Sequence, residues 1–521
     1  MPDPSSSATP TLSRRRMLRT TALGAGVAVG GTALSTLVGA APALAGTGPT
    51  EFVPSDLDLH LLRRATYGAT PALLSQVKAA GRNAWLDRQL APATISDPAC
   101  DALIADRYPH LSWSIDQAWN NLDGDWSLMM ELGQAAIARA AWSKRQLFEV
   151  MVDFWSNHLN VTNPFDGGWW SRHDYDKRVI RKHAMGRFHD MLVASATHPA
   201  MMLYLNNAES TKDNPNENYG RELLELHTVG VDAGYSEEDM RQSTLVMTGF
   251  GMDWDNGHFV FEPWAHYTGP VQVMGWSHDN ERAGQGYEVG LSYLSYLAHH
   301  PATAHRIAAK LCQRFVADDP PPTLVDSLAA TYLASDTAIV PVLRKLFRSA
   351  EFAASLGEKI RRPMEDTVAT LRILGVKADV SGTDGIQGLY WMIQDLANAP
   401  MAWSPPNGYP DEAGSWRSAG GTLGRWNMHM SIAAHWWPDE LVRPPLKNLL
   451  PSRNPKTHGE LVDALAKRLV FRKMSTAHRD AVLSFLGRSA SDPINRDSEA
   501  MGWRLPYLVA LILDSPYHEV R

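Results

Sequence analysis

The run Asn214-Pro215-Asn216-Glu217-Asn218-Tyr219-Gly220-Arg221-Glu222-Leu223-Leu224-Glu225-Leu226-His227 carries three carboxylates, a guanidinium, a phenol, an imidazole and three side-chain amides in fourteen residues. At about 100° per residue on a helix, Glu217, Asn218, Arg221, Glu222 and Glu225 share one half-turn, and Tyr219, Leu223, Leu224 and Leu226 line the other. Crowded carboxylates raise one another's proton affinity, which is what an acid and base pair needs if that face borders a cleft. On a solvated face the same residues make only an Arg–Glu ladder. His227 falls among the apolar positions and reads as a core histidine.

Two further constellations carry chemistry. In Phe154-Trp155-Ser156-Asn157-His158 the histidine recurs at helical spacing with Leu147, Met151 and Phe154, so it points inward. His158 and His183, with Glu222 and Glu225 from another helix, are a candidate set for a divalent metal. The spacing Glu-x-x-Glu-x-His departs from the Glu-x-x-His pattern of bundle metal sites. No zincin or phosphate-cradling motif is present. The third constellation runs from Trp403 through Asn407, Tyr409, Asp411 and Trp416 to Arg425 and Asn427. Aromatic faces suit the C–H faces of sugar rings, and amide, carboxylate and guanidinium groups suit hydroxyls. Core packing of Trp403 and Trp416 is the competing reading.

Helices must position these groups. Apolar periodicity and caps predict two short helices between 57 and 90, a long amphipathic one over 127–159, another over 174–196, and one after Asn214-Pro215 that stops near Gly230. Ser236 and Asp239 resemble a capping box. Asn256-Gly257 between alternating apolar residues predicts a β-hairpin near residues 251–262. Helices resume over 287–297, 301–316, 324–333, 339–347 and 363–374, and a Pro- and Gly-rich loop fills 400–421. The expected fold is mainly α, a large multi-helical single unit over 46–521.

Composition narrows the partner. Hydrophobic residues make up 44% of the 521 residues, which excludes disorder and is enough for a large core. Residues 1–45 read as a twin-arginine signal peptide: Arg14, Arg15 and Arg16 precede a Gly- and Ala-rich run, and Ala43 and Ala45 mark cleavage after Ala45. Removing four Arg and one Asp with that segment moves the net charge from −7 to −10, which disfavours nucleic acid and anionic membranes. No membrane span is expected after processing. Cys100 and Cys312 lack metal or redox spacing and are either one disulfide or two buried thiols.

Leu61 to Gly68, Phe154 to His158, Pro215 to His227, His300 to Ala304 and Pro405 to Gly408 together resemble the bacterial family called domain of unknown function 1800. The resemblance spans 59–521 and implies a largely helical, exported protein of the cell envelope or medium. It also implies an exported neighbour resembling alkaline phosphatases, and no established reaction. Two departures are Gly220 where alanine is usual, and His266-Tyr267 where His-Asp is expected.

Three functions fit the residues. The first is an exported hydrolase on a polymeric, glycosidic or polyhydroxylated substrate, with Glu217, Glu222, Glu225 and Asp411 as candidate acid, base or nucleophile. Asn218, Arg221, Trp403, Asn407, Tyr409, Trp416 and Arg425 would bind the substrate. The second is a metal-dependent or redox enzyme loaded before folded export, and the third a non-catalytic envelope binding or scaffold protein. For export itself, Arg14→Lys with Arg15→Lys is expected to leave uncleaved precursor in the cytoplasm; normal secretion of the double variant, read by fractionation, would refute the twin-arginine assignment.

Overall fold

Local chemistry starts several of the helices that carry the fold. In the computed structural model, which describes residues 51–521, the Thr70 side chain caps Pro71–Ala80 and the His300 ring caps Pro301–Phe315. Ser236 and Asp239 form the expected capping box on Glu237–Val246. The signal segment and its cleavage point lie outside the described residues. The architecture is mainly α, as expected, and its β-strands form two antiparallel two-stranded ribbons. Phe250–Met252 pairs with Phe259–Phe261 around Asn256-Gly257, as the hairpin signal predicts. A second ribbon, Val271–Val273 with Trp276–His278, turns through Met274 and Gly275, both at positive φ. A methionine at such a position gives no turn signal, so this ribbon was not anticipated.

Long periodic stretches are cut where the backbone finds other partners. The 127–159 stretch is two helices, Ser127–Trp142 and Gln146–His158. Between them Asp97 accepts from the Ser143 hydroxyl and the Lys144 N–H, and the buried Gln146 amide donates to the carbonyls of Ala140 and Ser143. These side chains replace the helical bonds that the apolar pattern implied. The 174–196 stretch is likewise divided into Arg172–Asp174, a π-helical Tyr175–Arg181 and Phe188–Ala196. The Gly186 carbonyl and Phe188 N–H bond to residues 339 and 337 instead.

The main apolar core runs from Leu59 to Tyr517, and the described residues 51–521 lie in one compact unit. Gly220 has a packing reason to lack a side chain: a Cβ there would lie 2.5 Å from Thr244 Oγ1 and 2.8 Å from Thr244 Cα. His266 is buried with its nitrogens on the Thr248 carbonyl and Asn280 Oδ1, a structural position. Cys100 and Cys312 are separate buried thiols, and no helix among the described residues is long and apolar enough to cross a membrane.

Three buried histidines link this packing to pH. Burial pushes His60 and His227 down to about 3 and His173 to about 4, so the folded state holds them neutral. The unfolded chain binds those protons from about pH 6.5 downward, so stability is present above that pH and is lost on acidification. The melting temperature is expected to fall steadily between pH 6.5 and 4 by calorimetry; a flat profile there would contradict neutral burial.

Candidate functional site

Four cations and four carboxylates meet beneath the 400–421 loop. Arg314, on helix Pro301–Phe315, lies 2.5 Å from Glu365, 3.6 Å from Asp411 and 4.0 Å from Asp153. Arg521 reaches Glu365 at 3.1 Å, Arg362 pairs with Asp153, and Lys359 pairs with Asp318 and with Asp411 at 3.4 Å. Helix position explains the convergence: Arg362 and Glu365 occupy the N-cap and third position of Pro363–Leu374, where Glu365 also accepts from the Arg362 N–H. Burial alone would raise the Glu365 carboxyl, but Arg314, Arg521 and Arg362 hold it well below the usual range. Asp411 is lowered in the same way, against burial, by Lys359, Arg314 and Arg362.

The loop is clasped onto this network by the Phe154–Asn160 segment. Asn157 Oδ1 accepts from the Tyr409 N–H, and its amide donates to Asp153. Asn160 donates to the carbonyls of Trp403 and Pro405. Gly408, at φ +70°, passes so close that a Cβ would sit 2.1 Å from the Asn157 carbonyl oxygen, so only glycine fits. The Trp403 indole donates to Asn407 Oδ1, and the Tyr409 hydroxyl to the Ala399 carbonyl.

Between loop and helices lies a cavity of about 250 Å³, walled by Asp153, Asn157, His158, Lys310, Arg314 and Arg362 on one side and Trp403, Asn407, Tyr409 and Asp411 on the other. A more open hollow of about 760 Å³ beside Val229 and Arg306 shares Lys310, Gln313 and Glu412 with it, so the two form one groove. Lys310 has no carboxylate ion-pair partner among the described residues; its ammonium lies 3.3 Å from His158 Nδ1. Burial, then Arg306, pushes Lys310 down to about 7, against the pull of Asp411. His158 Nε2 faces the His227 carbonyl at 3.0 Å. Burial, then Lys310 and Arg306, keep its imidazole neutral.

The expected site residues divide between this cavity and other places. Asp411, Trp403, Asn407, Tyr409 and His158 line it. Glu217, Glu222 and Glu225 do not, so the structure does not pair a carboxylate of that helix with Asp411 in the cavity. Arg221 instead reaches Glu217 and Glu225 at 3.4 Å and Glu237 at 3.5 Å, and Glu217 is 62% exposed. The helix is α only over Glu217–Glu222 and becomes π over Leu223–His227, so positions beyond 222 depart from the 100° wheel. Asn218 bonds back to Leu205 and Asn206. Trp416 donates to the Pro410 carbonyl and packs with Val53, Ile360 and Val520. Arg425 is buried against Asp366 and the Arg361 carbonyl. His158 and His183 do not converge as metal ligands: among the described residues, the His, Cys, Asp and Glu grouping with ligand spacing is Asp366, His429 and His518.

Lys310, Asp153, Arg314 and Arg362 went unrecognised in the sequence because isolated basic and acidic residues on amphipathic helices look like solvated faces. Asn157 had a signal, the motif around His158.

A mainly helical protein with a buried ion network under a clasped loop is the class that fold and site define. Within that class, the family model described as protein of unknown function (DUF1800) matches residues 60–520, and the chain belongs to that family. No curated protein and no solved structure matches it.

The two charged clusters are expected to differ in energetic weight. Glu365→Ala leaves buried Arg521 without its carboxylate, takes one partner from Arg314 and Arg362, and is expected to cost about 3–5 kcal/mol. Arg221→Ala removes half-solvated pairs and is expected to cost about 0–1 kcal/mol. Denaturant unfolding of both variants checks the contrast; equal losses would overturn it.

Proposed function

We propose that the groove is the active site of an exported hydrolase acting on a polymeric, polyhydroxylated substrate, with Lys310 as proton carrier and Asp411 as the ionised partner. The observation that carries this reading is Lys310: a partly buried ammonium beside a neutral histidine, facing a cavity whose other cations are paired with carboxylates. A group that titrates near neutrality gives and takes protons most readily at working pH. A scheme with two carboxylates needs one of them protonated. Asp411 is held ionised, so the acid role falls to Lys310. Asp411 then stabilises or captures the developing positive centre, and Asp153 sits across Arg314 from it. Trp403 and Asn407 supply the stacking face and a polar contact, and the open hollow gives a chain room to extend.

One observation favours the scaffold reading instead. Four cations against four carboxylates is also what a purely structural network looks like. The alkaline-phosphatase-like partner implied by the family resemblance belongs to the same proposal and would be sought by co-purification.

Hydrolysis of a panel of glycans and esters tests the assignment. Activity is expected to fall as pH rises through an inflection near 7, because the ammonium of Lys310 acts as the acid; a rise through that point would contradict the acid role. Lys310→Met and Lys310→Arg are expected to lower kcat at least about 100-fold with the melting temperature kept within a few degrees. Full activity of the wild type with unchanged activity of both variants would refute the role of Lys310.

A further inference from the structure

A second cluster lies outside the groove, one residue along from the ion network. Asp366 follows Glu365 on helix Pro363–Leu374, His429 comes from Ala419–Ala434, and His518 from Pro516–Glu519. All three are buried, and their candidate donor atoms lie within 4.8 Å of one another. His429 Nε2 is 3.3 Å and His518 Nε2 3.2 Å from the same oxygen, Asp366 Oδ1.

Both contacts lie at the long end of the hydrogen-bond range. A charge-assisted N–H···O contact closes to about 2.7–2.9 Å. The contact from His429 Nδ1 to Asp514 does so, at 2.8 Å. The two contacts to Asp366 stop near about 3.3 Å, the edge of a tetrahedron whose centre-to-corner bonds are about 2.0–2.1 Å. The surroundings match a metal's outer shell. His429 gives its other nitrogen to a carboxylate, the arrangement that orients a ligating imidazole. Asp366 offers its second oxygen to Arg425 at 3.5 Å, which leaves Oδ1 for an ion. Thr370 Oγ1, 3.2 Å from His518 Nε2, is an oxygen at hand for a fourth position.

We propose that Asp366, His429 and His518 form a binding site for a divalent first-row metal, zinc being the best match to two imidazoles and one carboxylate. The site is structural. None of the three residues lines the groove, and the ion would tie the 505–519 segment to the helix that carries Glu365. The metal reading from sequence, with His158 and His183, concerned other residues, and this site stands whether or not the groove is catalytic.

The test is elemental analysis of the intact exported protein purified without chelators. One equivalent of metal per chain is expected, lost in His518→Gln and in His429→Gln, and replaceable by cobalt with the intense visible bands of four-coordinate Co²⁺. Should either variant fail to fold, the wild type decides: chelator treatment is expected to lower the melting temperature and added zinc to restore it. Wild-type protein that carries no metal above buffer background, takes up none on refolding with zinc and melts identically with chelator would overturn the proposal, leaving a hydrogen-bonded network only.

Discussion

A charge taken out of water must meet an opposite charge, and that constraint organises the centre of this protein. Arg314 is nearly inaccessible, and it is tolerable there only because Glu365, Asp411 and Asp153 surround it. Those partners come from separate parts of the chain: Gln146–His158, the start of Pro363–Leu374 and the 400–421 loop. Arg521 and Lys359 extend the network to the last residues and to Asp318. The packing of these elements is therefore interdependent, because taking any one away would leave a buried ion short of a partner.

The cavity is a by-product of the same demand. The loop brings Asp411 to the cations, and Asn157 and Asn160 hold its backbone in place by bonding to the carbonyls and N–H that a loop leaves unpaired. What remains between loop and helices is lined by groups already oriented by other bonds, which is the preorganisation that binding and catalysis need. Lys310 differs from its neighbours there. Its ammonium faces an imidazole instead of a carboxylate, so burial moves its proton affinity toward neutrality while the ion pairs hold theirs far from it.

Adjacent residues on one helix separate two electrostatic systems. Glu365 gathers guanidinium groups, and Asp366 gathers imidazoles and Arg425. At about 100° per residue the two side chains leave the helix in different directions, so one turn joins the groove's foundation to the C-terminal helices.

Much of the secondary structure was legible in the sequence by itself. Proline and hydroxyl caps, helical spacing and Asn256-Gly257 are local signals, and local signals determined the mainly α fold, the first hairpin and the inward face of His158. The same signals failed where tertiary partners took over the backbone, at Ser143-Lys144-Arg145 and around Gly186. They failed again at Met274, where no turn residue marks the second ribbon. For the cavity, the sequence singled out the 400–421 loop and the motif around His158, and the packing brings the two together. It could not say that the face bearing Glu217, Arg221 and Glu225 would lie against Glu237 and not in the cavity. A helical wheel shows which residues share a face, and only packing decides what that face meets. Lys310 beside His158, Arg314 among three carboxylates, and Asp366 between His429 and His518 join residues far apart in the chain, so no local pattern encodes them and the tertiary structure alone brings them together.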